Sequence, residues 1–105
     1  MRFVETAVFT KAIQRFLSDE EFRELQSSLM RRPEQGAVIR GAGGLRKTRW
    51  ARSGRGKSGG LRIIYYWAAG ERVFYLLYAY SKNEQGDLTP AQVRMLAAVV
   101  QEELK

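Results

Sequence analysis

Hydrophobic positions recur along the chain in two rhythms, one helical and one of strands, and the switches between them mark the elements. Arg2 to Glu5 suits a short strand, after which Phe9, Ile13 and Phe16 stand at near-helical spacing and predict a first, short helix. Ser18-Asp-Glu-Glu21 then has the form of a capping box, in which the Ser18 hydroxyl accepts from the Glu21 amide while the Glu21 carboxylate reaches back. Leu17 and Phe22 stand where a hydrophobic staple forms. The helix that follows carries Phe22, Leu25 and Leu29 on one face, a stripe read as core, and ends before Pro33.

Beyond Pro33 the rhythm changes to that of strands. Ala37, Val38 and Ile39 precede a Gly-Ala-Gly-Gly break, which predicts a short strand and a turn. Leu45 to Ala51 alternates, with Lys47 and Arg49 on one face and Thr48 and Trp50 on the other. Arg52 to Gly60 is glycine-rich and basic, which predicts a mobile hairpin connection. Leu61 to Trp67 and Val73 to Tyr80 are rich in aromatic and β-branched residues and flank a tight turn, and their near-continuous hydrophobicity implies central strands covered on both faces. Thr89 as N-cap and Pro90 at the first helical position open a last helix, with Val93, Leu96, Ala97, Val100 and Leu104 as its apolar stripe. The predicted order is β-α-α-β-β-β-β-α. It describes a single α+β domain over residues 1–105, a mostly antiparallel sheet of four to five strands packed by two N-terminal helices and a C-terminal helix, with the helices expected on one side.

Composition adds a concentrated charge to this frame. The net charge is +7, and from Arg31 to Arg62 ten basic residues meet a single acid, Glu34. Within that stretch Arg46, Lys47, Arg49, Arg52, Arg55, Lys57 and Arg62 have no Asp or Glu among them. Ordinary surfaces mix signs, so a field of one sign points to a polyanion: nucleic acid first, then anionic membranes and acidic proteins. The chain has no cysteine, which excludes disulfides and thiolate zinc and fits a cytoplasmic protein. Histidine is also absent, which excludes a His-based triad, imidazole metal ligation and imidazole acid/base chemistry. Neither a long apolar leader nor a membrane-length apolar run occurs, and no metal or cofactor is expected.

Two phosphate-binding patterns fall inside the basic stretch. Ala51-Arg-Ser-Gly-Arg-Gly-Lys-Ser58 fits a relaxed phosphate-loop pattern, and Gly54-x-Gly56-x-x-Gly59 fits a dinucleotide fingerprint. Each motif requires a helix directly after the loop, whereas Gly59-Gly60 leads into a strand. Contact with a nucleic-acid backbone survives that objection and nucleotide hydrolysis does not.

The constellation with chemical potential is Lys47 and Arg49 on one strand, Arg62 early in the next, and Lys82 just past the last. Three segments around it, Gly43-Gly-Leu-Arg-Lys-Thr-Arg49, Gly59-Gly-Leu-Arg-Ile-Ile-Tyr-Tyr66 and Tyr75-Leu-Leu-Tyr-Ala-Tyr-Ser-Lys-Asn-Glu84 with Asp87-Leu-Thr, resemble the RelE/ParE toxin superfamily, and specifically its HigB-like members. The resemblance spans nearly the whole chain. It implies the toxin of a toxin–antitoxin pair that enters the ribosomal A site and cuts mRNA without a metal, with Lys and Arg in place of the His and Glu of ordinary ribonucleases. Its implied partners are the ribosome, mRNA and an acidic antitoxin of helix-turn-helix type, and its implied location is the cytoplasm. By position, Lys47 is the candidate base, Arg62 meets the scissile phosphate, Arg49 is a second phosphate or transition-state contact, and Lys82 is an electrostatic stabiliser or proton donor.

Relatives often carry Arg and a nearby Tyr after the last strand, where this chain has Asn83 and Glu84, so no general acid is assigned. Arg46, Arg52, Arg55, Lys57 and Asn83 are candidates for gripping RNA or the ribosome, and Tyr78 and Tyr80 for a stacking surface or a hydroxyl. Arg31, Arg32 and Arg40 could grip RNA or simply solubilise the edge. A ParE-like inhibitor of DNA gyrase is the alternative on the same fold, and a non-catalytic RNA-binding module is a third.

Overall fold

The two longest apolar runs pair with each other, and the rest of the chain is arranged around them. A computed structural model describes residues 1–51 and 60–103. Its elements are β1 (Arg2–Glu5), α1 (Ala7–Phe16), α2 (Asp19–Arg31), β2 (Ala37–Val38), β3 (Arg46–Trp50), β4 (Leu61–Ala68), β5 (Val73–Ser81) and α3 (Pro90–Glu103). The sheet order is β1-β5-β4-β3-β2, with β1 parallel to β5 and every other pair antiparallel. The predicted element order and α+β class are those observed. The connection expected over Arg52 to Gly60 lies, apart from Gly60, outside the described residues.

Both faces of β4 and β5 are covered, as their hydrophobicity demands, but not from one side. Phe9, Ile13, Leu25 and Leu29 of the first two helices, with Leu17 between them, pack with Leu61, Ile63, Tyr65, Phe74, Leu76 and Ala79. On the opposite face Val100 joins Ile64, Ala68, Val73, Tyr75, Leu77 and Tyr80, with Val93, Leu96 and Ala97 alongside. The expectation of all helices on one side is therefore corrected. The α1/α2 layer already occupies one face, and the apolar side chains on the other would meet water if α3 did not cross over.

One irregularity controls which side chains reach which face. Ile64 pairs with Tyr78 but Tyr65 pairs with Leu76, so Leu77 is an extra residue without a partner on β4, a β-bulge. Before it, Phe74 and Leu76 face α1 and α2; after it, Ala79 does, and Tyr78 and Tyr80 turn to the α3 face. The Leu77 carbonyl accepts from the Thr6 hydroxyl at 2.8 Å, and the same hydroxyl accepts from the Phe9 amide at 2.9 Å as the N-cap of α1. The capping box of α2 forms as predicted, with Glu21 N to Ser18 Oγ at 3.1 Å and Ser18 N to Glu21 Oε1 at 2.9 Å. Among the described residues no helix is long and apolar enough to cross a membrane.

Tyr65 fastens the segment after α2 to the sheet. Its hydroxyl donates to the Pro33 carbonyl at 2.8 Å and accepts from the Gly36 amide at 3.0 Å, and the residue is fully buried. A Cβ on Gly36 would stand 2.9 Å from the Tyr65 ring and 3.0 Å from the Lys47 carbonyl, so the close approach requires glycine. Tyr65→Phe leaves a buried donor and an acceptor unpaired, and an isothermal denaturant titration is expected to show a loss of about 1–3 kcal/mol. A loss under about 0.5 kcal/mol would mean that water replaces both bonds.

Candidate functional site

Residues directly opposite one another on neighbouring strands share a face, and the register places two rows on the α3 side of the sheet. One row is Arg49, Arg62 and Tyr80; the next is Ala37, Lys47, Ile64 and Tyr78. Period-two alternation puts Lys47 and Arg49 on the same side of β3, and the β3–β4 register then sets Arg49 against Arg62. Three of the four candidate catalytic residues thus meet on one patch.

Arg62 occupies a costly position there. It is 8% exposed, and its Nη1 meets only the Gly60 and Leu61 carbonyls, both at 3.4 Å, among the described residues. None of the ion pairs among the described residues involves it. A buried cation without a counterion is unfavourable, and a second cation directly across the ladder adds repulsion. An anion placed between Arg49 and Arg62 relieves both.

Beside this pair lies a carboxylate that the basic pattern does not announce. Asp87, in the connection between β5 and α3, accepts from Lys47 Nζ at 3.1 Å, from its neighbour's amide, Leu88 N, at 2.8 Å, and from the Tyr80 hydroxyl at 3.5 Å, all on Oδ1. The hydrogen bond from Lys47 and that from the Leu88 amide hold the Asp87 carboxyl below its ordinary value. Burial, and then the Asp87 charge, push the Tyr80 hydroxyl up to about 12. At neutral pH the cluster therefore pairs an ionised carboxylate with a neutral phenol.

The remaining candidates are distributed more widely. Lys82 is exposed just past β5, and its amide donates to the Gly60 carbonyl at 3.2 Å, which keeps it beside the start of the Arg62 strand. Asn83 is exposed on the following turn, its amide bonded to Ser81 Oγ at 3.2 Å. Arg46 is not brought to the patch: it opposes Tyr65 and binds the Gly36 carbonyl at 2.8 Å and Glu34 Oε2 at 3.5 Å. Tyr80 is 4% exposed, so its hydroxyl rather than its ring face meets the cluster. Arg52, Arg55 and Lys57 lie outside the described residues.

Two clefts flank the cluster. One of about 330 Å³ is bordered by Ala37, Arg40, Lys47, Asp87 and Leu88, and one of about 600 Å³ by Lys11, Arg15, Phe16, Tyr78 and Tyr80. Among the described residues no three His, Cys, Asp or Glu side chains gather as metal ligands. Cations, a carboxylate and a phenol can bind a phosphodiester and move a proton near it. Asp87 was missed from sequence because it stands 40 positions from Lys47 in a polar turn; its signal was an acid placed just before the Thr89-Pro90 helix start.

A family model described as "RelE toxin of RelE / RelB toxin-antitoxin system" matches residues 1–105. Among solved structures, the chain is similar to E. coli toxin RelE in the free state, a variant with two arginines replaced by alanine. The TM-score is 0.57 at 15% identity, covering 91% of this chain and 92% of that one. It is also similar to the intact E. coli RelBE toxin–antitoxin complex, with a TM-score of 0.54 at 16% identity, covering 74% of this chain and 92% of that one. Likeness at these identities speaks for the fold.

The Tyr80 shift has a signed consequence. An unfolded tyrosine ionises near pH ~10 and folded Tyr80 near about 12, so between those values the folded state holds the extra proton and stability falls as pH rises. Below pH ~10 this contribution is fully present. Denaturant titrations across the window are expected to show that fall, and Tyr80→Phe is expected to reduce its slope; an unchanged slope would place the raised tyrosine elsewhere.

Proposed function

Because the chain belongs to the RelE toxin family, and so is the toxin of a toxin–antitoxin system, we propose that it inhibits translation by cutting mRNA in the ribosomal A site. The observation that carries this reading is the buried Arg62, opposed by Arg49 and unpaired with any carboxylate among the described residues. That cost to folding makes sense if the protein receives a phosphodiester there.

The reaction is attack of the RNA 2′-hydroxyl on the adjacent phosphorus. It needs a proton acceptor, cations around the crowded phosphorane and a proton for the departing 5′-oxygen. Arg62 and Arg49 are assigned to the scissile phosphate. Lys47 donates its ammonium to Asp87, so its role shifts from the expected base to stabiliser of the phosphorane and proton source for the leaving oxygen. Lys82 is an electrostatic contact at the margin of the patch. Arg52, Arg55, Lys57 and Asn83 hold backbone without reading sequence, while Arg46, tied to the Gly36 carbonyl, serves the fold.

The RelBE complex supports an antitoxin partner, and the surplus of positive charge suits an acidic one, of helix-turn-helix type. The proposed place of action is the cytoplasm, where ribosomes and mRNA meet the toxin.

Mapping of mRNA 5′ ends after brief expression is expected to show cuts within translated frames that vanish when translation is blocked. A DNA-damage response without such cuts would instead indicate gyrase inhibition. Arg62→Ala is expected to lower cleavage by about 100-fold or more while the protein stays folded. Purified protein should cut naked RNA poorly, and robust cleavage without ribosomes would contradict the reading.

A further inference from the structure

The cluster lacks an assigned proton acceptor, and its geometry narrows the choice. Arg49 and Arg62 are donors only, and Lys47 and the Tyr80 hydroxyl both donate toward Asp87. Of the carboxylates nearby, Glu34 lies by Arg46 on the other face of the sheet and Glu84 is bound to Arg15 at 2.8 Å. Asp87 is therefore the carboxylate that touches the patch among the described residues. Its side chain is 70% exposed, its Oδ1 is anchored by three donors, and no donor among the described residues meets Oδ2. One oxygen is fixed and the other is open to a substrate.

We propose that Asp87 is the catalytic proton acceptor of this toxin, taking the proton of the attacking 2′-hydroxyl. The inference rests on the nuclease reading above and completes it. The proton passes from the 2′-oxygen to Asp87 Oδ2 as the 2′-oxygen–phosphorus bond forms. The phosphorus–5′-oxygen bond then breaks, with the electron pair leaving on the 5′-oxygen and a proton reaching it from the Lys47 ammonium. The products are a 2′,3′-cyclic phosphate and a 5′-hydroxyl. Asp87 Oδ2, on a side chain 70% exposed, then releases its proton to solvent and neutral Lys47 takes one up, which restores the Lys47 ammonium bonded to Oδ1 at 3.1 Å.

Hydrogen bonding holds the Asp87 carboxyl low, so the acceptor is ionised throughout the physiological range. Low basicity is a weakness in a free carboxylate. Here it is offset by the cations, which lower the basicity that the 2′-oxygen develops once it engages phosphorus.

The test compares variants in a reconstituted translation reaction, reading mRNA cleavage by primer extension and ribosome binding by co-sedimentation. Asp87→Asn is expected to slow cleavage by about 100-fold or more, the range of a lost general base, with ribosome binding within about threefold of the parent. Asp87→Glu, which restores the acceptor one methylene further out, is expected to recover at least about tenfold of that loss. Glu84→Gln removes the same charge from a residue outside the patch and is expected to leave cleavage within about threefold.

If Asp87→Asn cuts at nearly the parent rate while Arg62→Ala does not cut, the acceptor assignment falls and the nuclease reading stands. If Asp87→Asn loses ribosome binding, or Glu84→Gln slows cleavage equally, Asp87 acts through docking or general charge and the assignment also falls. If the parent protein makes no cuts on translating ribosomes, the nuclease reading itself fails first.

Discussion

The register between β4 and β5 is the constraint from which the rest follows. Up to Leu76 the two strands alternate in the ordinary way, and the extra residue at Leu77 reverses the parity of everything after it. Without the bulge, Tyr80 would turn toward α1 and α2, Ala79 would lie beside Arg62, and the phenol would be on the wrong side of the sheet. The bulge is held in place by the Thr6 hydroxyl, which takes the Leu77 carbonyl while capping α1. A contact near the N-terminus thus determines what faces the basic patch.

The two faces of the sheet then divide the work. Against α1 and α2 the side chains are almost all apolar, and Tyr65 satisfies its hydroxyl through Pro33 and Gly36. That face carries stability. On the other face α3 covers the apolar side chains, leaving Lys47, Arg49, Arg62 and Tyr80 in two adjoining rows. The connection from β5 to α3 has to pass from the end of the sheet to that face, and this passage delivers Asp87 to Lys47.

Much of this was legible in the sequence, and what was not has a physical reason. The capping box at Ser18, the alternation of Lys47 and Arg49, and the two central strands each follow from local patterns, and each is found. The face chosen by α3 does not follow from a local pattern, because an amphipathic stripe says that a helix packs without saying on what. Near-continuous hydrophobicity in β4 and β5 already implied a second cover, and the single-sided expectation ignored it. The opposition of Arg49 and Arg62 depends on strand register, and the orientation of Tyr80 on a one-residue bulge. Asp87, present in the sequence as part of a family-like segment, has no site role to read there, because its contact with Lys47 spans 40 positions and depends on the path of the β5–α3 connection.

The energetics of the patch argue that it is kept for something other than folding. The Lys47–Asp87 pair is open to solvent, and exposed pairs of this kind contribute little to stability. Arg62, by contrast, is buried beside another cation, and burying a charge without a counterion costs stability. A weak surface pair and a costly buried charge have opposite energetic signatures, yet they lie on adjoining rows and face the same space. Folding alone explains neither arrangement. On the proposed nuclease reading a phosphodiester bears on both, since it supplies the anion that Arg62 lacks and meets, at Lys47, a cation whose pairing with Asp87 adds little to stability.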